Sequence, residues 1–279
     1  MKLVPWISPT ILSDQMIQFN TNALDYIEEN KIVKSWSSLS TNPNAVKYLY
    51  QDPTLIKKGT WFKNKNPAII PLIEECAYIN SPWVQEQLLE NPNALHLVKS
   101  HHMKHNLYHL CKNTNPLAID LIEYYIDQQD SVSEVIWNTI GTNPSALWLI
   151  EKHLDKMKWK PLSENPAAIN ILLKNPEKIV WDSFSKNTHP LAIEHMNKHL
   201  DKINWRCLNM NPAAIDILKE NQDKIDGYWI SCNPSIFEYN YTKMAKARLE
   251  YLQDELLSVA LHPSRISKLL KQGLTMAEI

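Results

Sequence analysis

Apolar residues recur at helical spacing in short blocks along the chain, and residues 162–184 contain one complete block. Four apolar positions in its first half fall on one face of a helix: Ala168, Ile169, Leu172 and Leu173. A second helix start at Asn175–Pro176 is expected to carry Ile179 and Trp181. Helices this short are marginal alone, so the pattern predicts that neighbouring blocks cover their apolar faces.

Most blocks contain the dipeptide Asn-Pro. The pairs are Asn42–Pro43, Asn66–Pro67, Asn91–Pro92, Asn115–Pro116, Asn143–Pro144, Asn165–Pro166, Asn211–Pro212 and Asn233–Pro234, with His189–Pro190 in the same register. Asparagine is a preferred N-cap and proline is favoured at the first helical position, so each pair indicates a helix start. Successive pairs lie 22 to 28 residues apart, which is the signature of a repeat protein.

Two other residue types keep their place in the repeat. An alanine follows most pairs: Ala45, Ala94, Ala118, Ala146, Ala168, Ala192 and Ala214. A tryptophan precedes most pairs: Trp36, Trp61, Trp83, Trp137, Trp159, Trp181, Trp205 and Trp229. The small alanine allows helices to approach closely. The fixed place of the tryptophans favours core packing over a row of ligand-binding aromatics.

These features predict an all-α fold, an α-solenoid of about nine to ten short two-helix repeats of 22–28 residues with a C-terminal helical cap. At the usual spacing of packed helices it would be a curved rod roughly 80–100 Å long. The expected divisions are a divergent N-terminal segment (1–19), the repeat array (20–235) and the capping helices (236–279). The period is shorter than that of tetratricopeptide, ankyrin or HEAT repeats.

Composition removes several classes of function. The 279 residues carry a net charge of −1, which disfavours a nucleic-acid partner. Only four glycines occur, and they do not cluster into a phosphate-binding loop, so no cofactor is predicted. The four cysteines have no CxxC spacing, as in a reducing compartment. No apolar run is long enough to span a membrane, so neither a membrane partner nor secretion is expected.

One segment, residues 96–111, has the residue types of a metal site. His101, His105 and His109 are four apart, so on a single helix they would share a face, and Cys111 is near. However, Asn106 and Tyr108 resemble the start of another block, which would break that spacing. We therefore predict no metal or catalytic site and retain these four residues as the alternative. His195 and His199 are also four apart, but His199 follows the repeat and is interpreted as structural.

The recurring N-P-x-A-I and K-I-x-W patterns resemble repeat proteins encoded by giant nucleocytoplasmic DNA viruses. The ending from Glu255 to Gly273 is similar to a C-terminal segment common in those proteins. The resemblance covers most of residues 20–273 and carries no catalytic residues with it. It implies a viral product in the host-cell cytoplasm, and a virion component as a further case.

The sequence thus favours a non-catalytic helical-repeat scaffold that binds other proteins, viral or host, through the solenoid surface. A minor structural protein of the virion is the alternative. A metal-dependent module or enzyme around His101–Cys111 is the third interpretation and has the least support. Binding residues are expected where the copies differ, because the shared residues build the core.

Overall fold

The structure, a computed structural model, describes residues 1–99, 106–273 and 275, and this part of the chain is predominantly helical. Its α-helices are Leu24–Glu29, Trp36–Leu39, Val46–Gln51, Ile70–Glu74, Pro82–Leu89, Leu107–Leu110, Pro116–Asp127, Glu134–Thr142, Leu147–Lys152, Trp159–Glu164, Ile169–Leu173, Trp181–Phe184, Pro190–Asn197, Trp205–Asn209, Ile215–Glu220, Gly227–Ile230, Tyr241–Ala260 and Pro263–Lys271. Its 3-10 helices are Pro9–Ile11, Met16–Phe19, Pro43–Ala45, Pro53–Lys57, Trp61–Lys63, Pro67–Ile69, Leu95–Leu97, Pro144–Ala146, Leu154–Lys156, Pro166–Ala168, Pro176–Lys178, Pro212–Ala214, Gln222–Lys224 and Pro234–Ile236. None of the helices in these ranges combines the length and apolar character needed to cross a bilayer.

Most Asn-Pro pairs do start helices, and most of these begin as a 3-10 turn that continues into an α-helix. Asn91–Pro92 is the exception, because Pro92 lies in a turn and the next 3-10 helix begins only at Leu95. In one block the Asn165 side chain accepts the Ala167 N–H at 2.9 Å, and Pro166–Ala168 leads into Ile169–Leu173. The prediction for the second start is wrong in detail. Pro176–Lys178 is an isolated 3-10 turn, and Trp181 begins the next helix after extended backbone at Val180.

Ten buried asparagines connect successive blocks. We call them the ladder asparagines: Asn20, Asn42, Asn64, Asn91, Asn113, Asn143, Asn165, Asn187, Asn211 and Asn233. Each is at most 3% exposed. The Nδ2 of each donates to the backbone oxygen of the preceding ladder asparagine, at 2.6–3.1 Å. The Oδ1 of each accepts the N–H two residues further on.

The ladder asparagines define the repeat register more clearly than the Asn-Pro pairs do. Successive ladder asparagines are 22, 22, 27, 22, 30, 22, 22, 24 and 22 residues apart. In blocks that read Asn-x-Asn-Pro, the ladder residue and the helix cap are separate residues, as with Asn64 and Asn66. An alignment on the prolines therefore mixes two positions, whereas the ladder shows six of the nine spacings to be 22 residues and three to be longer.

The ladder closes on itself. Asn20 Nδ2 donates to the backbone oxygens of Ser231 and Asn233, which repeats the geometry found between neighbouring blocks. Asn42 Nδ2 then donates to Asn20 O. Within Leu3–Phe237 the expectation of a curved rod is therefore wrong, because the first block covers the edge that the last block would otherwise expose.

A second set of hydrogen bonds joins neighbouring blocks at six of the ten ladder positions. A side-chain oxygen two residues before the ladder asparagine accepts a backbone N–H from the next block. The acceptor–donor pairs are Gln18–Ser35, Ser40–Thr60, Ser163–Val180, Ser185–Asn204, Asn209–Asp226 and Ser231–Ser13. The last pair joins the final block to the first, and two short strands, Lys2–Leu3 and Phe237–Glu238, pair beside it.

The core is built from the residue three places before each ladder asparagine. These residues are Ile17, Leu39, Trp61, Leu88, Leu110, Ile140, Leu162, Phe184, Leu208 and Ile230, and every one is fully buried. The tryptophans are not equivalent to one another. Trp61 is itself one of these core residues. Trp181 lies three residues before the core residue of its block, Phe184, and is half-buried. Trp83 is 51% exposed. Core packing of the tryptophans is therefore correct for Trp61 and wrong for Trp83.

The chain divides into two compact units, one comprising Leu3–Phe237 and the other Met1–Lys2 with Glu238–Ile279. The second unit contains the helix Tyr241–Ala260, which Asn240 caps by accepting the Lys243 N–H at 3.0 Å, and the helix Pro263–Lys271. Residues 3–19 of the divergent N-terminal segment belong to the first unit, and Ser13 supplies a closing contact.

The ladder predicts a severe effect of an almost isosteric change. In Asn165→Asp the two donors to Gly141 O and Asn143 O are replaced by carboxylate oxygen that faces two carbonyls. We expect a loss on the order of 3 kcal/mol or more in the free energy of unfolding, measured by chemical denaturation. The same change at the exposed Asn170 should alter stability by no more than about 0.5 kcal/mol. Equal effects would mean that the ladder does not stabilise the fold.

The closure predicts that a glycine-to-alanine change in one helix lowers the free energy of unfolding. A Cβ on Gly227 would lie 2.1 Å from the Ile11 backbone oxygen, across the contact between last and first blocks. Gly227→Ala should therefore destabilise by about 1–3 kcal/mol, although alanine is the better helix former by about 0.5–1 kcal/mol.

Hydrogen exchange shows whether the destabilisation by Gly227→Ala arises at the contact between the last and first blocks. The Ser13 and Val4 amides, which bond to the last block, should exchange faster in Gly227→Ala. They should be unaffected by Gly141→Ala, whose added Cβ meets only Pro161 and Met157 side chains and the Leu162 backbone. Protection that is unchanged in both variants would contradict the closure.

Candidate functional site

The histidine segment is only partly visible. His101 and His105 lie outside the described residues, and a new helix begins at Leu107, just after Asn106. His109 is half-buried and its Nδ1 lies 2.7 Å from Glu90 Oε1. Cys111 is fully buried, and burial raises the pKa of its thiol to about 12, which disfavours the thiolate that binds metals. Among the described residues, no three His, Cys, Asp or Glu side chains are grouped so as to hold a metal ion.

His195 and His199 do meet, but against aromatic rings. The His195 ring stacks on Trp181 at 5.6 Å, and the two imidazoles are 4.7 Å apart. Burial lowers the pKa of His195, and the neighbouring His199, Lys198 and Lys202 lower it further. The pair therefore packs on the repeat tryptophan, as its place in the repeat indicates.

A charged cluster surrounds Glu90. Its Oε1 accepts from His109 Nδ1 at 2.7 Å, Lys63 Nζ at 3.1 Å and Lys112 Nζ at 3.2 Å, and the Glu90 side chain is only 13% exposed. Burial acts to raise the pKa of Glu90, but His109 and the two lysines outweigh it and hold this pKa below its ordinary value. Glu90 is therefore a buried anion neutralised by its neighbours.

The ladder explains why these residues meet. Lys63, Glu90 and Lys112 each directly precede a ladder asparagine, and hydrogen-bonded neighbours in the ladder bring the preceding side chains side by side. The same register pairs Glu164 with Lys186, whose Nζ lies 3.2 Å from Glu164 Oε2. The sequence contains this signal, but only when it is aligned on the ladder.

Two adjoining cavities of about 280 and 330 Å³ are lined by residues of the block between Asn42 and Asn64 and of the next block, between Asn64 and Asn91. The second of these blocks is five residues longer than 22. The cavities share Ile56, Lys57 and Tyr78. The first is completed by Phe62, Ser81 and Trp83, and the second by Leu49, Pro53, Leu72, Glu75, Cys76 and Ala77. We call this pair of cavities the aromatic groove.

Aromatic rings form the rim of the groove. Trp83 packs edge-on against Phe62 with centroids 5.8 Å apart, yet it remains 51% exposed. Tyr78 is 50% exposed, and Lys57 Nζ lies 5.3 Å from its ring centroid. Large aromatic side chains that pack against the protein on one face and are exposed to solvent on the other are typical of protein-binding surfaces.

A third cavity, of about 510 Å³, lies beside the longest insertion. It is lined by Asn106, Leu107, Tyr108, His109, Gln129, Ser131, Val132, Ser133 and Ile136. Its block runs 30 residues from Asn113 to Asn143, and the extra residues form the polar connection before Glu134–Thr142. His109 belongs to both this cavity and the Glu90 cluster. The two larger departures from the 22-residue period therefore each coincide with a surface cavity.

In comparisons with known proteins, no family model matches the chain, and no curated protein and no solved structure matches it. The candidate site consequently depends on geometry alone. The Asn-Pro pairs singled out in the sequence lie at helix starts, except for Asn91–Pro92, which lies in a turn. The asparagine of most pairs is also a ladder residue, whereas Asn115 is a helix cap and not a ladder residue. Sequence reasoning missed Lys57 and Tyr78, which lie away from the repeated positions, and Glu90, whose register position is recognised only when the sequence is aligned on the ladder.

The Glu90 cluster predicts a pH-dependent contribution to stability. A folded pKa below the unfolded one means that the contribution is present above the ordinary glutamate value and is lost as the pH falls through the lowered value. Glu90→Gln should therefore lower the free energy of unfolding by about 1–2 kcal/mol at pH 7.

The deficit of Glu90→Gln should shrink at acid pH, because the wild-type carboxylate is then protonated. Glu164→Gln is the matched control, since Glu164 holds the same register position in an exposed pair. Denaturation curves between pH 7 and pH 3 should show little change for this control. A deficit that does not vary with pH would contradict the assignment.

Proposed function

We propose that Leu3–Phe237 is a closed helical-repeat scaffold, without catalytic activity, that binds another protein through the aromatic groove. The observation that carries the proposal is the exposure of Trp83 and Tyr78 around adjoining cavities, in a chain whose repeated aromatic positions are mostly covered. Exposed aromatic side chains in a preformed groove are the usual anchors of protein recognition.

The groove suits one class of ligand. Its first cavity is lined mainly by apolar surface, with a volume fit for one or two aromatic or branched apolar side chains. Lys57 stands at the wall that both cavities share. We therefore propose that the ligand is a peptide segment of a partner protein, inserting an apolar anchor. The ladder keeps the groove preformed because it fixes the blocks on either side.

The identity of the partner is proposed on a different basis. The N-P-x-A-I resemblance supports a viral product that acts on a viral or host protein in the host cytoplasm. Packaging as a minor virion protein is the alternative, and mass spectrometry of purified virions distinguishes the two. A metal-dependent module around His101–Cys111 has the least support, because Cys111 is buried.

A peptide-library selection on the full chain tests the groove. Selected peptides should share an aromatic or branched apolar anchor, and Trp83→Ala should weaken their binding by about tenfold or more. Trp148→Ala is the matched control, because Trp148 is a similarly exposed tryptophan, 41%, away from the groove residues. Peptides that bind both variants equally would place the binding site elsewhere.

A further inference from the structure

The helix Tyr241–Ala260 has exposed apolar side chains along its length. Its 20 residues form the longest helix in the described ranges, and none of its described side chains is buried. Leu249 and Leu256 are 67% and 68% exposed, and Val259 is also exposed. An isolated helix gains little stability from propensity alone and needs its apolar face packed, and exposed apolar patches of this kind mark interaction sites.

The spacing of that face is that of a coiled-coil seam. Small and apolar side chains follow one another at intervals of three, four, three, four and three: Thr242, Ala245, Leu249, Leu252, Leu256 and Val259. A 3–4 alternation matches a second helix packed nearly parallel or antiparallel to the first. Tyr251 and Leu257 lie off this seam.

The seam pairs with itself in one antiparallel register. In this register Leu249 of one copy faces Leu252 of the other, Ala245 faces Leu256, and Thr242 faces Val259. The numbers of two facing residues always add up to 501. Every seam residue then faces another seam residue, and the axis of symmetry passes between positions 250 and 251. Antiparallel packing also sets the two helix dipoles in opposition.

The charged residues that flank the seam also favour the antiparallel arrangement. Arg248 and Glu255 each directly precede a seam leucine, and both are exposed. In an antiparallel pair, side chains at this flanking position face each other, so Arg248 of each copy lies against Glu255 of the other. In a parallel pair Arg248 would face Gln253, and Glu255 would face Ala260, with no ion pair.

We propose that Tyr241–Ala260 is a dimerisation helix that pairs antiparallel with the same helix of a second copy of this chain. The dimer would join two scaffolds, and each would keep its own aromatic groove. The inference is independent of what the groove binds.

Light scattering and analytical ultracentrifugation on the full chain test the pairing. The wild type should be a dimer at about 100 μM, and the double variant Leu249→Glu with Leu256→Glu should be a monomer at the same concentration. The matched control, Tyr251→Glu with Leu257→Glu, adds the same charges off the seam and should remain a dimer. Circular dichroism checks that all three retain their helix content. A monomeric wild type, or a seam variant that still dimerises, overturns the proposal.

Charge exchange and cross-linking test the orientation. Arg248→Glu should weaken the dimer by about tenfold, and adding Glu255→Arg in the same chain should restore it. Under oxidation, a mixture of Ala245→Cys and Leu256→Cys chains should form a 245–256 disulfide, mapped by peptide mass spectrometry. A 245–245 disulfide in Ala245→Cys alone would mean parallel pairing and would overturn the antiparallel register.

Discussion

The primary amide of a buried asparagine is the interaction on which this fold depends. Asn165 uses both of its Nδ2 hydrogens on backbone oxygens of the preceding block and its Oδ1 on a backbone N–H of its own block. No other side chain of that size offers two donors and an acceptor at those angles. Aspartate lacks the donors, and glutamine is a methylene too long. The amide therefore fixes the start of one helix and its distance from the previous block together.

That single constraint accounts for where the surface features lie. The segment around each ladder residue is held, so insertions fall between ladder asparagines, where they leave the hydrogen bonds intact. The aromatic groove and the cavity beside Ser131 are each lined partly by a lengthened block and partly by the block before it. The Glu90 cluster follows from the same constraint, since adjacent ladder residues bring Lys63, Glu90 and Lys112 together.

The sequence predicts the local elements well because the signals are local. Asn-Pro as the usual helix start and the helical character both follow from residues close together in the chain. The repeat register was harder, because asparagine serves both as a cap, at Asn66, and as a ladder residue, at Asn64, and the two roles look alike in one dimension. Closure could not be predicted, since it depends on the small rotation between successive blocks, which no single residue encodes. The exposure of Trp83 depends on its register, because Trp83 lies eight residues before its ladder asparagine and Trp61 lies three before its own, a difference that an alignment on tryptophan does not show.

Because the ladder is closed, it fixes the number of blocks. In an open array, a gain or loss of one 22-residue block leaves every remaining contact in place and merely changes the length. Here the last asparagine, Asn233, must present its carbonyl to Asn20, so each block turns through a set fraction of the full circuit. Deletion of one block would require all the others to turn further, and duplication would require them to turn less. Variation in this protein is therefore expected to occur in block length and surface residues, while the number of blocks stays at ten.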